Sequence, residues 1–287
     1  YLLEKIQPID MSETRKAEII AEARFLRGVY YFYLSNFFGG VPYYDTSEQD
    51  PLAPRNDMQT VYGHILEDFQ NAYEVLPDRP LNKGCAHKWS AAGFLVKTWC
   101  YLASCKMNNV GGDISGSPEQ MALINFDWVD AADYYRKAYE LSEVIIEQSA
   151  FKLTKNYDRL FRETCETEQY EECLFTAESV DVQGLGNDYL ALVFYHIPCG
   201  PGQIGGGYGN YRPIGECWKR YNQLDIRRAH NLGGGLEEKE ELREEIGGVL
   251  YYKPNTASPS SMSFCINKFR YRDAASKKIA SAYCEGN

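Results

Sequence analysis

The side chains that could do chemistry here are four histidines, nine cysteines and forty carboxylates, and their spacing says little for catalysis. His64, His87, His196 and His230 stand apart, with no His-x-x-x-His or His-Glu-x-x-His to set two imidazoles on one helical face around a metal. No Gly-x-Ser-x-Gly supplies a hydrolase elbow. The run Gly202-Gln203-Ile204-Gly205-Gly206-Gly207-Tyr208-Gly209 lacks a following Lys-Ser/Thr, so it reads as a surface loop and not as a phosphate cradle. Cys100 and Cys105 are five residues apart and there is no Cys-x-x-Cys; the first is expected as a small buried hydrophobe, the second less firmly so. An odd cysteine total leaves at least one thiol unpaired, and disulfides elsewhere cannot be assigned from spacing. No catalytic residue, metal or cofactor is expected.

Binding has a better physical basis. Tyrosine is the compositional outlier, with 23 residues against 13 Phe and 4 Trp. A tyrosine couples a flat apolar ring to a polar tip, which suits the C–H face and hydroxyls of a pyranose as well as it suits helix packing. Tyr195, His196, Tyr208, Asn210 and Tyr211, with Arg212 beside them, fall in one Gly- and Pro-rich stretch that could hold them outward. Tyr43, Tyr44 and Asp45 follow a long helical segment, and Trp218 stands beside Cys217, three residues before Tyr221. The competing reading of each ring is core packing, and Trp89, Trp99 and Trp128 are assigned to the core because they lie on helices. A net charge of −10 excludes a nucleic-acid partner, which would need a dense basic surface. The acidic run Glu237 to Glu245 is expected as a solvated helix laced with i,i+4 pairs, without a metal.

The elements that must position these residues are helical. Ser12 caps a helix from Thr14 to Phe38, ended by Gly39-Gly40 and by Pro42. Ile19, Ala23, Leu26, Tyr30, Tyr33 and Phe37 trace one apolar stripe on it, and Phe25, Val29 and Phe32 begin a second, so neighbours are expected on two sides. Arg24 and Arg27 interrupt the apolar surface and are expected to snorkel or to pair with carboxylates such as Glu22, as structural and not sugar-binding residues. Further helices are expected from Asp57 to Leu76, closed by Pro77, from His87 to Lys106, and from Trp128 to Gln148. Helix pairs on short loops suggest an all-α, tetratricopeptide-like layer over residues 1–160. Beyond Cys165 the helical period fades into a loop-rich second part, residues 161–287.

The helix Glu22-Ala23-Arg24-Phe25-Leu26-Arg27-Gly28-Val29-Tyr30-Tyr31-Phe32-Tyr33-Leu34 with its Gly39-Gly40-Val41-Pro42 exit resembles the hallmark segment of the SusD/RagB family. In the same order, Ile65, Asp68 and Ala72, then Lys83-Gly84 with Ala86, Ala91-Ala92 and Leu95, are similar to its next two helices. Phe151-Lys152-Leu153 through Leu160-Phe161, Glu171-Glu172-Cys173-Leu174-Phe175, and Tyr221 with Asp225 and Arg227 extend the likeness over about residues 12 to 230. Gly28 departs from the usual Ala, and the family's lipidated start, first helix and C-terminal Arg-Tyr-Ala-Asp helix have no counterpart here, so the chain reads as an interior portion of a longer protein.

The resemblance implies a non-catalytic surface lipoprotein on the extracellular face of the outer membrane. It implies capture of oligosaccharide or polysaccharide and delivery to a SusC-like TonB-dependent transporter, with a lipid anchor outside this chain. Two other readings compete with it: a tetratricopeptide scaffold that grips a protein segment, and a helical glycoside hydrolase using two of the carboxylates, though no spacing marks out which.

Overall fold

The structure is a computed structural model, and it describes residues 1–80, 82, 84–155, 157, 160, 171–176, 215–222, 224–233, 243–246, 249–252 and 265–266, some of the later ones by backbone alone. Two compact units divide the chain: residues 1–152 with 173–178, and residues 153–172 with 179–287.

Among its described residues, the regular elements of the first unit are all helices. A short α1 (Leu2–Lys5) precedes α2 (Glu13–Phe38), α3 (Met58–Val75), α4 (Lys88–Met107), a short α5 (Pro118–Ala122) and α6 (Ala131–Gln148). Side-chain caps set the starts: the oxygens of Ser12, Asp57 and Asp130 accept from the amides of Arg15, Thr60 and Asp133. Asp130 thus moves the start of α6 past the expected Trp128. Each long helix packs on the next, α2 on α3, α3 on α4 and α4 on α6, with a lighter contact of α2 on α4. That is the layered helix-hairpin order of a tetratricopeptide-like array.

Only one of the two stripes of α2 faces the core. Ala21, Phe25, Gly28, Phe32 and Ser35 are buried, whereas Tyr30 is 68% and Phe37 79% exposed on the opposite side. Phe25 gathers the rings of Phe69 (5.8 Å between centroids), Phe94 (5.4 Å) and Phe175 (5.0 Å). Gly28 permits the closest approach, because a Cβ there would lie 2.8 Å from the Phe69 ring. Phe175 comes from the Glu171-to-Phe175 motif, and the preceding Leu174 carbonyl accepts from Ser90 Oγ at 2.6 Å.

Arg27 pairs with Asp68 of α3, not with Glu22 as the sequence suggested. Its Nε and terminal nitrogen donate to the two carboxylate oxygens at 2.8 and 2.7 Å. Helical geometry explains the difference: Glu22 and Arg27 are five residues apart and share no face, and Glu22 instead accepts the Ala86 amide at 3.0 Å. The two cysteines of α4 also exchange roles, since Cys105 is buried and Cys100 half-buried.

Among the described residues of the second unit, α7 (Gly215–Arg220) and α8 (Ile226–Asn231) are followed by four short strands. β1 (Leu232–Gly233) pairs antiparallel with β4 (Cys265–Ile266), and β2 (Arg243–Ile246) with β3 (Val249–Tyr252) in the register Arg243↔Tyr252 to Ile246↔Val249. The acidic run expected as a helix therefore ends in a strand. Gly247-Gly248 between two short runs, the second being Val249-Leu250-Tyr251-Tyr252, is a hairpin signal that outweighs charge spacing. Asp225 caps α8 and chelates the Arg227 guanidinium at 2.7–3.1 Å, which gives the Tyr-x-x-x-Asp-x-Arg motif a structural role.

Replacing Arg27 by Met would leave the Asp68 carboxylate, 3% exposed, without its partner. A loss of about 3–5 kcal/mol in urea unfolding followed by circular dichroism is expected, with most of it recovered in Arg27→Met/Asp68→Leu. A second expectation concerns acid. His87 is 4% exposed and stacks on Phe151 at 5.2 Å, and desolvation lowers its pKa from the ordinary 6.5. The neutral ring is the one that packs, so its contribution is complete above pH 6.5 and is lost as the pH falls below it. His87→Gln should flatten the midpoint-versus-pH curve over that window.

Candidate functional site

The site is built from the point where α2 stops. Gly39 adopts a left-handed φ of +74°, and Cβ atoms on Gly39 and Gly40 would sit 2.4 Å from the Leu123 carbonyl and 2.1 Å from the Asn56 carbonyl. Only glycine fits both positions. The Gly40 amide donates to that Leu123 oxygen at 2.7 Å. Arg55 reaches back to collect carbonyls at the end of the helix, donating to Gly40 O at 2.6 Å and also to Phe38 O.

From there the chain is clasped residue by residue. Asn56 donates its amide to Val41 O at 3.2 Å, and its side-chain oxygen accepts the Tyr43 amide at 2.8 Å. The Tyr31 hydroxyl accepts the Tyr44 amide at 2.9 Å. Further along, the Tyr44 hydroxyl donates to Asp50 O at 2.5 Å, and Ser47 donates from its amide and its hydroxyl to Glu4 at 2.6 Å each. Those two bonds hold the Glu4 carboxyl below its ordinary range.

The clasp presents a half-buried cluster of flat groups. The Tyr43 ring lies parallel to His64 at 3.9 Å with an interplanar angle of 5°, meets Tyr31 at 4.8 Å, and has the Arg27 guanidinium 5.4 Å from its centroid. Burial, reinforced by the Asp68 carboxylate, pushes the Tyr43 phenol up to about 12, so it stays protonated and keeps a hydroxyl to donate. Chemically this is a wall of tyrosine, imidazole and guanidinium planes with polar edges, which can stack on apolar faces and bond to hydroxyls. Among the described residues no group of three His, Cys, Asp or Glu is placed to hold a metal.

Of the eight residues singled out for ligand binding, Tyr43 is in this cluster and Tyr44 is in the clasp next to it, its amide on the Tyr31 hydroxyl and its own hydroxyl on Asp50 O. Tyr195, His196, Tyr208, Asn210 and Tyr211 lie outside the described residues, and Trp218 is on α7 with only its backbone described. His64, Tyr31 and Arg27 join the cluster without having been singled out for binding. Arg27 and Tyr31 are four apart on α2 and share a face, a spacing that could have flagged them together; nothing local in the sequence ties His64 to Tyr43.

Residues 1–101 match the SusD-like_3 family, described as "Starch-binding associating with outer membrane". A SusD-like protein of Bacteroides ovatus is 27% identical over 230 residues, covering 79% of this chain and 36% of its own length. SusD-like protein P2 of Formosa agariphila is 25% identical over 236 residues, covering 78% and 40%. The chain thus spans about two fifths or less of these relatives' length. Among solved structures, one described as with xylogluco-oligosaccharide aligns at a TM-score of 0.64 and 19% identity over 100% of this chain and 57% of its own. A laminarin binding SusD-like protein aligns at 0.63 and 21%, over 94% and 55%. Residues 1–101 thus match that family, and the chain over most of its length is similar to SusD-like proteins.

Replacing Asn56 by Ala should release the Tyr43 amide and the turn behind it, at a cost of about 1–2 kcal/mol. Hydrogen exchange should then speed up at residues 43 and 44 while the α3 amides keep their protection.

Proposed function

We propose that this SusD-like chain captures oligosaccharide or polysaccharide at the extracellular face of the outer membrane, tethered there by a lipid. It passes the ligand to a SusC-like TonB-dependent transporter and performs no covalent chemistry on it. The observation that carries this reading is the family match over residues 1–101, which spans the hallmark helix and the clasped exit that holds Tyr43 and Tyr44. In this reading residues 1–160 are the scaffold and residues 161–287 the ligand-facing part. Tyr43, Tyr44, Tyr195, His196, Tyr208, Asn210, Tyr211 and Trp218 supply the stacking faces and the polar edges. A net charge of −10 is compatible with neutral glycans and opposes binding of polyanions. The relatives whose descriptions mention laminarin and xylogluco-oligosaccharide make β-glucans a sensible first panel.

A tetratricopeptide-like scaffold for a peptide is the second reading, favoured by the serial packing of α2, α3, α4 and α6. Affinity electrophoresis in laminarin, xyloglucan and starch separates the two. Retardation by at least one polysaccharide is expected, without release of new reducing ends. Tyr208→Ala/Tyr211→Ala should weaken capture by about tenfold or more, given roughly 1 kcal/mol per stacked ring. Failure to bind any glycan, or turnover at enzymatic rates, would defeat the proposal.

A further inference from the structure

The N-terminal half of α2 borders a cavity of about 330 Å³. Arg15, Glu18 and Glu22 stand at i, i+3 and i+7, share one helical face and form one wall of it. The turn between α3 and α4 supplies Arg79 and Cys85, while Leu76 and Ala86, each 5% exposed, give an apolar lining. From Arg15 to Tyr31 the rise along α2 is about 24 Å, so the cavity is separate from the Tyr43 cluster.

The charges around this space do not all neutralise one another. Arg15 is committed to Glu18 at 2.9 Å. Glu22 spends one carboxylate oxygen on the Ala86 amide at 3.0 Å, a bond that fixes the carboxylate in place. Arg79 is exposed and pairs with no carboxylate among the described residues, Glu22 included. One anion and one cation, drawn from different elements, thus border the same apolar-lined space without meeting each other.

We propose that this cavity binds a small zwitterion of the α-amino-acid class. Its ammonium pairs with Glu22, its carboxylate with Arg79, and an aliphatic side chain rests on Leu76 and Ala86. The volume is at the small end of ligand pockets, about 300–1,000 Å³, and suits a single small molecule better than a length of oligosaccharide. A neutral sugar would take both charged groups out of water without giving either an opposite charge. A polyanion would meet Glu18 and Glu22 in a chain of net charge −10. A ligand with one charge of each sign satisfies both walls through charge-assisted hydrogen bonds and leaves no net charge behind.

Cys85 lines the cavity with a half-buried free thiol and so reports its occupancy. The protein is treated with N-ethylmaleimide with and without L-leucine, and the labelling rate of Cys85 is read by peptide mass spectrometry, with the half-buried Cys217 of α7 as internal reference. Leucine at about ten times its Kd should slow Cys85 by about tenfold and leave Cys217 unchanged. N-acetyl-leucine, which lacks the ammonium, and leucinamide, which lacks the carboxylate, should each protect about fivefold less well by concentration. Arg79→Gln, at an exposed turn position, should weaken protection by leucine by the same factor and leave protection by leucinamide unchanged, a pattern that a structural role for Arg79 would not produce. Unchanged labelling at every leucine concentration, equal protection by the three compounds, slowing of Cys217 together with Cys85, or protection by laminarin or xyloglucan in place of leucine would each overturn the proposal.

Discussion

The first unit depends on how closely α2 and α3 approach. At Gly28 the absence of a side chain lets the Phe69 ring settle against the backbone of α2, where it meets the Phe25 and Phe94 rings, and Phe175 packs on both of those. One residue away, Arg27 spans the same gap to chelate Asp68, which is otherwise shut off from water. A glycine in mid-helix gives up as much as about 1 kcal/mol of propensity, and here the loss is offset by packing that a methyl group would obstruct. The ion pair adds direction to the apolar contact, because a bidentate guanidinium tolerates little sliding or rotation of one helix on the other.

That constraint links the core to the candidate site. Arg27 faces Asp68 and lies close to the Tyr43 ring, and Tyr31, one turn further along α2, holds the Tyr44 amide. The flat groups presented beyond the helix are therefore indexed to the α2–α3 seam. The side chains that hold them, Tyr31 and Asn56, sit on or next to secondary structure, so the turn through Val41 to Tyr44 has little freedom of its own.

Much of the helical unit was legible in the sequence because its signals are local. Ser12, Asp57, Gly39-Gly40 and Pro77 punctuate the chain within a residue or two of the observed ends. Two apolar stripes on α2 could be seen, but their ranking could not, since which one meets Phe69 is decided by a residue forty positions away. Pairing across such distances is also why Asp68 was missed as the partner of Arg27 and His64 as the partner of Tyr43. The strand at Arg243–Ile246 is hidden in the sequence because its charges also suit helical spacing, and the run that marks it as a strand, its partner Val249–Tyr252, lies beyond the charged segment itself. As for the candidate binding residues, loops carry no period from which contacts can be derived; Tyr43 and Tyr44 are held next to a helix end by Asn56 and Tyr31, neither of which the local sequence ties to them.

The two ends of the segment between α2 and α3 are fastened to each other: Val41 and Tyr43 to Asn56, Gly40 to Arg55. The stretch from Asp45 to Pro54 is thus closed at its base by a ring of hydrogen bonds, in addition to its own bonds from Tyr44 to Asp50 and from Ser47 to Glu4. Lengthening such a closed excursion costs little, only about 0.6 kcal/mol per doubling. It behaves as an exchangeable cassette: its tip can be rewritten or extended while the seam beneath stays in register, so changes of sequence in this part of the molecule are separable from changes in stability.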